Sequence, residues 1–267
     1  MSLKRSIYLV VFLLGLTIQQ GYSQSFAQIG GVINDYTSIT SILSYIVTDV
    51  DSVVVVDPTA FRVGDTVMVY GVKGAAIGLG IEINMYDPGV DAQNPRNSGK
   101  YAFVLIESIV GNTIIFNTNL RLESDPNKGI LPLGPGEMAQ LIRVPSYHNV
   151  EVSSLLSADD WNPATGEGGV VTMFVSGKLR LSADIDVSGA GFWGARVSSD
   201  PYEYGGDCSS ADLILYDTTF CDLSEVWSGL KGEGTTDTTF HGQLGMRGKA
   251  SSINGGGGGN ARFAGGG

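Results

Sequence analysis

Asp184 and Asp186 are separated by one residue, so on a β-strand both carboxylates point to the same face. Such a pair serves acid/base chemistry only if burial drives the two pKa values apart; otherwise it is a solvated strand face. Oxygen-rich corners such as this pair, or Asp159-Asp160, also suit a hard cation. No EF-hand or repeat-in-toxin loop accompanies them, so no metal is assigned. Trp161, within Asp159-Asp160-Trp161-Asn162-Pro163, reads either as a buried corner plug or as a sugar-stacking platform. Trp161, Asp184 and Asp186 are thus the candidate glycan contacts. The only histidines, His148 and His241, fall in no nucleophile or metal signature. Gly-x-Ser-x-Gly, His-Glu-x-x-His and Walker spacings are absent. No catalytic residue and no cofactor are assigned.

The two cysteines, Cys208 and Cys221, have twelve residues between them. In an oxidising compartment a disulfide is their natural pairing, contributing about 3 kcal/mol by restricting the unfolded chain. Two buried free thiols are the alternative. Export follows from residues 1–23, which have the form of a secretory signal peptide. Lys4 and Arg5 are the positive region, Ile7 to Ile18 the apolar stretch, and Gly21-Tyr22-Ser23 the small-residue cleavage site. No later stretch has the roughly 18 apolar residues of a membrane helix, so no transmembrane segment is expected in the mature chain.

The elements that must position these residues are β throughout. Ser52 to Val56, Thr66 to Tyr70, Lys100 to Val110, Thr113 to Phe116 and Ala139 to Val144 read as strands. Gly111-Asn112 reads as a tight hairpin turn. Helical apolar periodicity beyond about two turns occurs only at Tyr36 to Ile46. Gly78 to Ser98, rich in Pro, Asn and Asp, reads as a loop excursion. Residues 24–149 are therefore expected to form a β-barrel or sandwich. From Val150 to Phe192 short β segments recur about every ten residues, with Ser-Gly and Ser-Ala-Asp corners. That rhythm suits a β-solenoid-like segment over 150–192.

Of 267 residues, 38 are glycine, and half of these lie in the last 80. Residues 193–267 form a glycine-rich region, polyglycine-II-like or flexible, and the chain reads as the N-terminal part of something longer. The net charge of −11, more negative still without Lys4 and Arg5, argues against nucleic acid as a partner.

Several motifs together resemble one protein group. They are Phe61-Arg62-Val63-Gly64-Asp65-Thr66-Val67-Met68-Val69-Tyr70-Gly71-Val72-Lys73-Gly74-Ala75, Leu141 to Tyr147, and Trp161 followed by Gly168-Gly169. Asp184 to Phe192, Lys231-Gly232-Glu233-Gly234 and the polyglycine run after Asn254 complete the set. In this order they resemble very large exported surface adhesins of Bacteroidetes-type bacteria, linked to gliding motility and type IX secretion. The resemblance spans roughly residues 50–267, and Trp193 departs from it where a small or basic residue is expected. It implies a cell-surface location on the exterior of the outer membrane and an adhesive or scaffold role. Its implied partners are the secretion machinery and extracellular glycans or proteins. It carries over no catalytic residue. The alternative is a secreted protein that binds or cleaves polysaccharide on the solenoid face.

Overall fold

The computed structural model describes residues 25–43, 51–75, 96–122, 125–130, 132–193 and 233–235. The signal-peptide residues, Cys208, Cys221, His241 and nearly all of 193–267 lie outside the described residues. Within the described residues the chain is all β. Its strands are β1 (Ala27–Val32), β2 (Tyr36–Leu43), β3 (Ser52–Val55), β4 (Thr66–Lys73), β5 (Tyr101–Val110), β6 (Thr113–Phe116) and β7 (Arg121–Leu122). They continue with β8 (Asp125–Gly129), β9 (Met138–Arg143), β10 (Ser146–Tyr147), β11 (Val150–Ser157), β12 (Phe174–Val175) and β13 (Leu179–Leu181).

Six antiparallel strands close into a barrel in the order β2-β3-β6-β5-β4-β9, with β9 returning to β2. Alternation of β-branched and polar residues places Val53, Val55, Ile114 and Phe116 inside, with Val67, Val69, Val104, Ile106 and Leu141 from the neighbouring strands. Phe61, Leu120 and Ile130 plug the interior from the connecting loops. Each such side chain contributes about 1.5–3 kcal/mol by leaving water. The Gly111-Asn112 turn forms as expected. Gly111 has φ +59°, the conformation that a type II′ hairpin requires at its first central residue. Asn112 Nδ2 donates onward to Val55 O and Val56 O, tying the turn to β3.

Tyr36 to Leu43 is a strand, not a helix, and the cause of the helix-like spacing is visible. The register shifts between Ile39 and Ser41, so burial runs Thr37, Ile39, then Ile42. A bulge thereby mimics the three-residue spacing of a helix. Strands β4 and β9 are buried on both faces, because Met68, Ile142 and Val144 pack outward against Tyr36, Tyr70 and Val170.

The second unit is a parallel coil. β10 and β11 form one rung, and β12 and β13 the next. β12 stacks on β10, β13 on β11, and Ile185 on Leu156. Corner contacts between the rungs join residues 28 or 29 apart: His148 Nδ1 lies 3.0 Å from Ser176 Oγ, and Lys178 N donates to Asn149 Oδ1. At the Gly177 corner a Cβ would stand 2.5 Å from His148 O, so only glycine fits there. On its other edge β11 pairs with β1, from before the barrel. The barrel is therefore an insertion between two rungs of one parallel sheet.

Candidate functional site

The loop from Ala158 to Met173, between β11 and β12, holds the barrel and coil together through buried polar groups. Gln140, fully buried in β9, donates from Nε2 to Gly168 O (3.1 Å) and accepts from Gly168 N at Oε1 (3.0 Å). Asn34 does the same with Thr172 and adds a bond to Arg143 O. Glu167 Oε1 accepts from Ser38 N and Ser38 Oγ. Tyr36 donates its hydroxyl to Val170 O at 2.5 Å. Burial, reinforced by the nearby Asp159 charge, pushes that phenol up to about 12. Gly168 (φ +92°) is irreplaceable here, since a Cβ would stand 2.5 Å from Asp160 O.

Trp161 is 4% exposed. Its amide donates to Ala190 O, its ring meets Phe192 edge-on at 5.1 Å, and Nε1 donates to Glu233 Oε2 at 2.9 Å. The side chain plugs a corner, leaving no open face for a sugar. Asp184 and Asp186 flank Ile185 on the exposed surface of the coil. Hydrogen bonds from Ser188 hold the Asp186 carboxyl below its ordinary value, so at neutral pH it is an anion rather than a proton donor. The structure does not bring Trp161 and the two aspartates to a common surface. Among the described residues no three His, Cys, Asp or Glu side chains gather closely enough to hold a metal.

Sequence reasoning noted Glu233 and Lys73 only within motifs and assigned neither a role. Lys73 Nζ, at the end of β4, meets Glu233 Oε1 at 2.7 Å, with the two side chains 7% and 20% exposed. The ammonium also lies 5.5 Å from the Trp161 ring centre and 5.2 Å from that of Phe192. Trp193 N donates to Glu233 Oε2 (2.9 Å), and Glu233 N donates to Trp193 O (2.8 Å). Thr235 O accepts from both Gly74 N and Ala75 N. One carboxylate thus joins the barrel, the connecting loop, the coil end and the glycine-rich region. The signal that could have found it was an acid set between two glycines, Gly232 and Gly234.

No protein-family model and no curated protein matches the sequence. Two solved structures are similar to parts of it. One is the gp54 tailspike of Acinetobacter baumannii bacteriophage AP22, solved in complex with A. baumannii capsular saccharide. It is 18% identical, with 55% of this chain and 20% of that one covered and a TM-score of 0.23. The other is the tailspike protein gp49 from Pseudomonas phage LKA1, 8% identical, with 61% and 24% covered and a TM-score of 0.25. The chain spans about a fifth to a quarter of these tailspikes. No helix among the described residues is long and apolar enough to cross a membrane.

Proposed function

We propose that this chain is a non-catalytic surface module, exported and displayed outside the outer membrane, where it projects further parts of a longer adhesin-like protein. One observation carries the reading: at one corner Lys73 of the barrel, Trp161 of the connecting loop and Trp193 at the coil end all bind Glu233 of the glycine-rich region. Glu137 packs on Gly74 and binds Asn97 and Arg96 there, while Glu233 binds Lys73 and Trp193. A barrel and coil clamped together at a buried, hydrogen-bonded corner suit presentation better than turnover. The resemblance of its ordered motifs to those of gliding-associated adhesins supports the same reading. Labelling intact cells with antibody to the barrel tests it. Labelling without permeabilisation, with attachment to surfaces reduced in a deletion strain, is expected. Unlabelled intact cells or undiminished attachment would sink it.

Carbohydrate binding is the second reading, and the aromatic cluster favours it. Tyr101 and Phe103 on β5 and Phe174 on β12 are 63%, 40% and 42% exposed and touch in sequence, with ring centres 5.7 and 4.9 Å apart. Exposed rings at the barrel–coil seam offer apolar faces to a glycan. A polysaccharide panel read against Phe103→Ala tests it, and retention of all binding by that variant removes the cluster from the site.

A further inference from the structure

The Glu233 contacts have the composition of a ligand site rather than of a surface ion pair. The receiving groups come from β4, the Ala158–Met173 loop and the coil end, separated from Glu233 by 160, 72 and 40 residues. Each carboxylate oxygen has its own donors: ammonium on Oε1, and indole and backbone N–H on Oε2. Gly234 is buried, and the next carbonyl sits on two adjacent amides. Carboxylate capture beside backbone pairing is how acidic peptides are read by extended-chain addition.

We propose that Lys73, Trp161, Trp193 and the amides of Gly74 and Ala75 form a recognition site for an acidic, glycine-flanked extended peptide. The chain fills this site itself with Glu233-Gly234-Thr235. A separate peptide of the same chemistry binds when the internal carboxylate is withdrawn. The carboxylate is the specificity element, because the ammonium it meets is buried against two aromatic rings, where an unpaired charge is costly.

The test uses the full chain carrying Glu233→Gln, its fold checked by near-ultraviolet circular dichroism, and a fluorescent Gly-Glu-Gly-Thr peptide capped at both ends. Saturable binding to the variant is expected. Binding at least tenfold weaker is expected for the Gly-Gln-Gly-Thr peptide, and for the wild-type chain, whose site is filled. Adding Lys73→Met should abolish binding. Absence of saturable binding to the folded variant, equal binding of the Gln peptide, or binding that survives Lys73→Met would each overturn the proposal. If Glu233→Gln does not fold alone, refolding is followed with either peptide present. Recovery with the Glu peptide only supports the site; recovery with neither, or with both alike, overturns it.

Discussion

In the barrel every strand has a ladder neighbour on both sides, and its apolar side chains face one another across a closed interior. In the coil, β13 has no partner on its far edge among the described residues, and Leu179, Leu181, Ile185 and Val187 are 42–61% exposed. The same kinds of residue therefore do different work. Isoleucine and valine in the barrel complete a core, whereas on the last rung they offer a surface on which another layer can stack. The coil draws its order from elsewhere: from β1, from the corner contacts between rungs, and from Gln140, Asn34 and Glu233. A closed sheet is self-sufficient, and the short parallel coil is held by what it is fused to.

The largest expected effect tests that asymmetry directly. Phe116→Ala, in the barrel interior, should cost about 3–5 kcal/mol, while Leu181→Ala should stay within about 0.5 kcal/mol; urea unfolding measures both. Equal losses would mean that the coil has a core of its own. Next, Lys73→Met should cost about 3 kcal/mol by leaving the Glu233 carboxylate without its cation. Lys73→Met combined with Glu233→Met should recover most of that in a double-mutant cycle, unless the barrel and coil hold together independently of this corner. Gln140→Ala comes third, at about 2 kcal/mol, because Gly168 would lose partners for both its N–H and its C=O. Thermal melts of a chain whose other two tryptophans, Trp193 and Trp227, are replaced by Phe, followed by the remaining Trp161 fluorescence, should then show the connecting loop loosening before the barrel.

Two smaller effects concern pH. A phenol raised in the folded state stabilises the fold below pH 10, and that contribution is lost as pH rises from 10 towards about 12. Tyr36→Phe should remove this late step from an ultraviolet phenolate titration; an unchanged titration would place the slow phenol elsewhere. Asp186 acts in the opposite direction, its contribution present above the ordinary carboxylate pKa and lost as pH falls below it. Because the group is fully exposed, Asp186→Asn should barely move the acid limb of a stability profile.

The barrel was largely legible in the sequence, since strands that face one interior must alternate and Gly111-Asn112 has few other uses. Solenoid rhythm was legible from small-residue corners, and Trp161 as a plug from its turn-rich setting. What could not be read depended on distance along the chain. Gln28-Ile29-Gly30-Gly31 carries little strand signal, because its partners are Glu151 and its neighbours, 123 residues on. Thr40 disguised β2 by shifting its register. Glu233 shows locally only as an acid between two glycines; its role exists only once Lys73, Trp161 and Trp193 have been brought together. Asp184 and Asp186 show the converse, a chemically suggestive spacing that the fold leaves in solvent with no convergent partner.

Through β11, Leu179 is level with Ala27 and Leu181 with Ile29, so Ala27 and Leu181 sit near the same end of the three-stranded sheet, on its two outer strands. Tension applied between those two residues pulls mainly across the strands, so the ladder bonds open in turn from that end instead of sharing the load. The barrel, inserted between β1 and β11, lies off this line of force. A protein tethered at one end and pulled at the other would load the coil first and leave the barrel unstrained until the sheet gives way.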